Sequence, residues 1–398
     1  MSDKEITVIT DQNALNAFCE QLKTSRVVFV DTEFHRESTY WPTLCLIQAA
    51  GDDVEGIIDP MVEGIDLSPF LDIMSDPDIG KVFHAARQDM EIFARLIGTP
   101  PAPIFDTQIA AMALGLGDSI SYDNLISQLT GKQVDKSSQF TDWTRRPLSQ
   151  KQLHYALGDV THLRAAYAKM AETLDEKERW SWIEEDHLAL SAPELYLARP
   201  ENAWKRMKLR RHRKDYLAVL KSVAVWREAL AQELNRPRSR VLKDDAVQEI
   251  ADQRPRDANG LDRLRSLPKG FGKSRHGSGL LEAINNALDD PDAYAPDVEK
   301  PKHRGPTPAG AADLLRVLLK QICDDENVTP RLIANSADLE RIASGDGDST
   351  AVMSGWRYDL FGKHAENLLH GKLAVTFNNG QIEMFNTEGL PHIEPRNS

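Results

Sequence analysis

The chain is poor in cysteine: three in 398 residues (Cys19, Cys45 and Cys323). They are far apart, odd in number and without C-x-x-C spacing, which excludes a disulfide framework and a thiolate zinc site. Long apolar runs are also missing. Nothing approaches the length of a membrane span, and no basic-then-apolar leader opens the sequence. The expectation is a soluble protein of the cytoplasm with reduced core cysteines and no membrane partner. Positive charge is scarce as well, with 48 Lys+Arg against 61 Asp+Glu and a net charge of −13.

That deficit is uneven. Residues 1–200 carry 17 basic and 32 acidic side chains, whereas residues 204–276 carry 20 and 9. Residues 277–398 return to 11 and 19. An acidic part that handles cations, joined to a basic part that holds a polyanion, has this distribution; so does a solvated basic helical surface. At 398 residues, 41% of them apolar, two to three domains are expected.

Arg26-Val-Val-Phe-Val-Asp31-Thr32-Glu33-Phe34 reads as a strand buried on both faces that ends on two acids. The pleat puts Asp31 and Glu33 on one side, where desolvation penalises both charges unless a cation lies between them. An isolated Asp-x-Glu is more often an ordinary solvated strand end. Leu44–Ala50 and Val54–Ile58 complete an antiparallel meander around a Gly51-Asp52-Asp53 turn. Strands at Lys81–His84 and Ile104–Phe105 then alternate with helices at Leu67–Met74, Gln88–Ile97, Thr107–Leu114 and Leu125–Leu129, the pattern of an α/β sheet. Lys132–Pro147 has no periodicity. Ser149-x-x-Gln152 has the form of a capping box and opens a helix reaching about Thr173. On it Leu153, Leu157 and Val160 make an apolar face, with Tyr155 and Asp159 expected on the opposite side. Asp89 starts the helix after the Val82-Phe83-His84 strand.

Residues 191–203 and 289–308 read as linkers around two helical segments, 204–288 and 309–375, with a hairpin near Asn378-Asn379-Gly380. The segments look like copies. Asn235, Ile250-Ala251 and Phe271-Gly-Lys273 recur as Asn327, Ile342-Ala343 and Phe361-Gly-Lys363, at offsets of 92, 92 and 90 residues. The basic run Lys205–Lys214 could follow a nucleic-acid backbone or tether its module to the acidic domain. Lys269-Gly-Phe-Gly-Lys-Ser-Arg-His-Gly277 is the stronger nucleic-acid candidate, with glycines that let backbone approach phosphate and a Phe271 ring that could stack. It is not a P-loop, because Leu267 stands where the opening glycine belongs.

Val30-Asp-Thr-Glu-Phe34, Phe83-His-Ala-Ala-Arg-Gln-Asp89 and Tyr155-Ala-Leu-Gly-Asp159 resemble, in order, the three motifs of the DEDD exonuclease superfamily, the Tyr placing the chain in its DEDDy branch. Asp142-Trp-Thr-Arg-Arg-Pro-Leu148 and the Leu264–Lys273 segment resemble parts of ribonuclease D and of HRDC domains. Two HRDC-like modules after the nuclease are the architecture of the bacterial ribonuclease D family. The resemblance implies an RNase H-like α/β nuclease domain with a mixed sheet (residues 1–190), followed by two small all-α HRDC-like domains (204–288, and 309–398 with the tail). It implies 3′-to-5′ hydrolysis of RNA with a free 3′ end to nucleoside 5′-monophosphates, in a monomer that trims tRNA precursors. Two divalent ions, Mg²⁺ or Mn²⁺, would be held by Asp31, Glu33, Asp89 and Asp159, with Tyr155 orienting the attacking water. Phe34, His84, Lys269, Phe271 and Lys273 are the substrate-binding candidates; Gln48, Trp143, Arg145 and Arg146 are weaker ones. The rival readings are a DNA exonuclease and an inactive RNA-binding scaffold.

Overall fold

The computed structural model describes residues 6–298 and 309–387. Six strands form one mixed sheet: β1 (Val8–Ile9), β2 (Val27–His35), β3 (Thr43–Ala50), β4 (Glu55–Ile58), β5 (Gly80–Phe83) and β6 (Ile104–Asp106), in the order β1-β4-β3-β2-β5-β6. The β2-β3-β4 meander is antiparallel, while β5 and β6 add in parallel through helical crossovers. The short β1, parallel to β4, was not expected from the sequence. Its two residues are too few to show a period.

Helices α1 (Gln12–Leu22), α2 (Ser68–Ser75) and α3 (Arg87–Ile97) cover one face, packing on Val28, Val30 and Phe83. On the other face lie α4 (Thr107–Ala113), α5 (Tyr122–Thr130), α6 (Gln150–Glu176) and α7 (Trp180–Leu190), around Phe29, Val82 and Phe105. Both faces of β2 are therefore dry, which is why its interior is an unbroken apolar run. Ser149 caps α6 through a capping box with Gln152. The helix runs three residues beyond Thr173, and α7, absent from the sequence expectation, turns back to complete the layer. The 191–203 stretch is no loose linker. It is wound into 3-10 turns at Pro193–Leu195 and Pro200–Arg206, and Tyr196 is buried with its hydroxyl donating to Leu190 O.

The first helical module comprises α8 (Lys214–Glu233), α9 (Arg238–Val241), α10 (Asp244–Gln253), α11 (Ala258–Asp262), α12 (Arg275–Asp289) and α13 (Pro291–Tyr294). The second has α14 (Ala309–Glu326), α15 (Pro330–Ile333), α16 (Ser336–Ala343), α17 (Gly355–Arg357) and α18 (Lys363–Leu369). The shared order is a long helix, a left-handed asparagine, a one-turn helix after proline, and a second helix. Asn235 (φ 47°) and Asn327 (φ 52°) occupy the same corner, as their 92-residue offset predicts. A hairpin, β7 (Leu373–Asn378) and β8 (Gln381–Asn386), follows, turning at Asn379-Gly380 with both φ positive, as a two-residue hairpin turn requires. The remainder of the second linker (299–308) and of the tail (388–398) lies outside the described residues.

Each module docks on the nuclease domain differently. The second shares its core, where Leu163 and Ile183 belong to one apolar cluster with Leu315, Leu319 and Phe361. The first meets the β2–β3 loop by polar contacts. The Tyr40 hydroxyl donates to buried Glu228, which also pairs with Arg238 at 2.9 Å, and Trp41 N donates to Asn235 Oδ1. Among the described residues no helix is long and apolar enough to cross a membrane.

Candidate active site

Asp31 and Glu33 stand in the C-terminal half of β2, a central strand of the sheet, toward the strand ends where α/β folds place their sites. A bulge between Glu33 and Phe34 breaks the pleat there and re-aims the strand end. Asp159 comes from α6, packed across β2 and β3. Candidate ligand oxygens of Asp31, Glu33 and Asp159 all lie within 4.8 Å of one another.

The helix does not present Tyr155 and Asp159 opposite its apolar face, as the spacing suggested. Asp159 is 8% exposed, beside Val160 and Leu163 in the buried stripe, and Tyr155 packs at 6.0 Å from the Trp143 ring. A side chain 60–100° from the centre of the stripe sits on its flank, and here that flank overhangs the sheet end.

Asp89, in the first turn of α3, reaches the same strand end from the other face. It is buried, and its Oδ1 accepts from the Thr32 hydroxyl at 2.5 Å. Thr32, whose side chain alternates away from Asp31 and Glu33, thereby ties Asp89 to the strand. Asp89 lies outside the three-acid cluster. Its helix is aimed by Asp106, whose carboxylate accepts from Ala85 N, Ala86 N and Gln108 N at 2.8–3.0 Å and holds Ala85 at φ 57°.

Burial, then the Asp159 charge, pushes Asp31 well above the usual carboxylate range. Burial and then Asp31 take Glu33 up to about 10. Asp159 rises to about 8 by burial, against a hydrogen bond from Tyr155 that favours its ionised form. Asp89 is raised by burial and then Asp31. No Lys or Arg among the described residues offsets these four acids. An anionic all-oxygen donor set without a protein counter-charge fits a hard divalent cation. Exonuclease domains of this kind use divalent metals.

Asp31, Tyr155, Asp159, His84, Tyr122 and Leu163 line a cavity of ≈ 110 Å³. It opens to solvent and has room for cations and a few waters. His84 thus reaches the site. Its Nδ1 is 2.9 Å from Thr107 Oγ1, and burial lowers it to about 4, so the ring is neutral. Burial, followed by the charges of Asp159 and Asp31, raises the Tyr122 phenol. Tyr122, which no sequence signal marked, donates to Asp159 O at 2.7 Å and to Gly158 O at 2.9 Å and so fixes α6 where Asp159 leaves it. Gln48, opposite Asp31 in the β2–β3 ladder, is fully buried with neither amide atom hydrogen-bonded. Phe34 is partly exposed at the bulge and belongs to none of the apolar clusters of the described residues.

The other candidates lie elsewhere or are engaged. Arg146 makes a two-pronged pair with Asp59 at 2.6 and 2.8 Å and donates to Cys45 O, fastening the 142–148 segment to the sheet instead of meeting phosphate. In the basic run, Arg206, Arg210, Arg211, Arg213 and Lys214 pair with acids of their own module, so the run neither tethers to the nuclease domain nor forms the expected helix. Lys269 and Lys273 are exposed, but Phe271 packs on the module core. Gly272 and Gly277 serve packing, whereas Gly270, at φ 81°, faces open space. A Cβ on Gly272 would stand 2.6 Å from Ala258 O, and one on Gly277 2.2 Å from Phe271 O.

A family described as 3′-5′ exonuclease matches residues 6–175, and the HRDC domain family matches residues 216–284. Ribonuclease D of Nitrobacter hamburgensis is 46% identical over 375 residues, 94% of this chain and 98% of that protein. Ribonuclease D of Granulibacter bethesdensis is 42% identical over 96% of this chain and 97% of that protein. The crystal structure of Escherichia coli RNase D, described as an exoribonuclease involved in structured RNA processing, superposes with a TM-score of 0.79 at 28% identity, covering 92% of this chain and 99% of that one. The chain therefore belongs to the ribonuclease D family of 3′-5′ exoribonucleases, with an RNase H-like nuclease domain followed by a helical HRDC domain.

Proposed function

We propose that Asp31, Glu33, Asp89 and Asp159 hold two divalent cations, Mg²⁺ or Mn²⁺, at which water cleaves the last phosphodiester of an RNA 3′ end. The convergence of three carboxylates within 4.8 Å carries this reading. Bound cations supply the positive charge that offsets charge developing on the attacking and leaving oxygens. Asp31 and Glu33 present their oxygens from a strand end locked between two packed faces, so the donors need little reorganisation. Asp159 faces them from α6, with its main chain pinned by Tyr122. Asp89, held by Thr32 outside the cluster, would add a carboxylate from the far side of β2.

Tyr155 orients the attacking water. Burial, and next the Asp159 charge, raise its phenol, so it stays protonated and acts as a hydrogen-bond donor. Neutral His84 and partly exposed Phe34 border the terminal nucleotide. The products are a nucleoside 5′-monophosphate and an RNA one residue shorter. The chain acts as a cytoplasmic monomer on tRNA precursors, in line with its family.

The test is release of nucleotides from a 5′-labelled RNA with a single-stranded 3′ tail. Asp31→Ala or Asp159→Ala, like EDTA, should abolish it while binding of the same RNA persists. Tyr155→Phe should slow it by about 10²-fold or more with a smaller loss of metal affinity. An Asp31→Ala protein that hydrolyses at the wild-type rate would sink the assignment. A matched DNA oligonucleotide and a tRNA precursor with a 3′ trailer, run beside it, decide the polynucleotide and the natural substrate.

A further inference from the structure

The irregular segment between α5 and α6 is anchored along its length. Lys136 Nζ pairs with Asp123 at 2.6 Å, and Ser138 is 2% exposed. Thr141 N and Oγ1 both donate to Ser138 O, and Thr141 Oγ1 accepts from Gln152 Nε2 at 3.2 Å. Trp143 is buried, and Arg146 is clamped on Asp59. Within this fixed frame Phe140 is 93% exposed, more than any other large apolar side chain among the described residues. A ring held out by a braced loop gains nothing from the fold, and its apolar surface is left in water.

Its location gives the ring a use. Thr141, its neighbour, is bonded to Gln152, which lies one turn before Tyr155 on the same side of α6, and Trp143, three residues on, packs at 6.0 Å from Tyr155. The loop that carries Phe140 is thereby tied to the first turns of α6, beside Tyr155, which lines the carboxylate pocket. Five residues on, the Arg145 side chain is 84% exposed, touching only Asp142 at 3.1 Å. A solvent-facing aromatic ring and a solvent-facing guanidinium carried on one braced loop are the parts with which single strands are gripped without regard to sequence.

We propose that Phe140 stacks on a base of the incoming RNA strand upstream of the scissile phosphate, with Arg145 meeting the adjoining backbone. The proposal rests on the exoribonuclease reading, but binding alone tests it. The probe is a fluorescein-labelled dodecaadenylate, with dissociation constants read by anisotropy in EDTA and KM and kcat measured in Mg²⁺. Phe140→Ala should weaken binding and raise KM by about 5–100-fold, with kcat changed less than about threefold. Phe140→Trp should restore affinity, whereas Phe140→Leu, apolar but without a π-face, should not. Dodecamers abasic at one position each should contain one for which wild type loses about the same factor and Phe140→Ala loses nothing further. All three variants should melt within about two degrees of wild type, as a side chain without packing contacts predicts. Phe140→Ala binding within about twofold of wild type, full rescue by leucine, or a lowered melting temperature would each overturn the proposal. A wild-type protein that binds the RNA but never shortens it would instead overturn the exoribonuclease reading.

Discussion

Arg357 offers the sharpest test of how the second module is joined to the nuclease domain. It is 5% exposed, and its guanidinium donates to Leu332 O of its own module at 2.9 Å and, across the junction, to Glu185 at 2.6 Å and Asp186 at 2.5 Å. It also covers the ring of Trp356, which stacks on Trp182 of α7 at 4.6 Å and 4°. Removing one partner of a fully buried pair costs about 3–5 kcal/mol. Here the carboxylates left behind rehydrate in part, since the Glu185 and Asp186 side chains are 59% and 36% exposed. Arg357→Met, which keeps the apolar stem, should then cost about 2–4 kcal/mol. Arg357→Lys keeps the charge but loses the fork, and falls between. The assay is urea unfolding followed by two probes, tryptophan fluorescence and residual RNA hydrolysis. Because one apolar cluster runs from Leu163 and Ile183 to Leu315 and Phe361, both midpoints should move down together. A fluorescence transition that shifts while the activity midpoint stays would show that the shared core is not one cooperative unit, and refute the reasoning.

Burial lowers His187 to about 4, and its Nε2 accepts from Asp106 N at 3.0 Å, so the folded state holds the neutral ring. As pH falls from 6.5 toward 4 the unfolded chain takes up the proton first. Stability present above pH 6.5 is therefore lost through that window, by about 3 kcal/mol. The wild-type-minus-His187→Gln difference in unfolding free energy should fall accordingly on acidification, and a flat difference would contradict it. Gly272→Ala drives a methyl into the main chain at Ala258 and should destabilise the first module by about 1–3 kcal/mol, visible as faster amide exchange in α8 and α10. If this variant instead weakened RNA binding at unchanged stability, the glycine would belong to the ligand and not to the packing.

The acidic cluster was more legible than its surroundings because charge on a buried strand is a local signal. Asp31 and Glu33 stand out in Val27–His35 because everything before them is apolar, and the capping box at Ser149 and the Asn379-Gly380 turn are equally local. The contacts that complete the site are not local. Tyr122 meets α6 through main-chain carbonyls 36 and 37 residues away, and a carbonyl carries no sequence signature. Asp106 looks like an ordinary helix cap, yet it also fixes the turn that aims Asp89. The flank position of Asp159 escaped for another reason. Helical periodicity ranks side chains by angle from the apolar stripe, but a flank residue is buried or exposed according to what the neighbouring sheet brings. Strand β2 ends under α6, so a position that would be solvated on an isolated helix becomes 8% exposed. The Phe271 loop shows the opposite case. Gly272 and Gly277, read as openings for phosphate, are filled by Ala258 and Phe271 main chain, because close packing and ligand approach demand the same missing Cβ. Only the neighbour's identity separates the two, and the neighbour is a property of the fold.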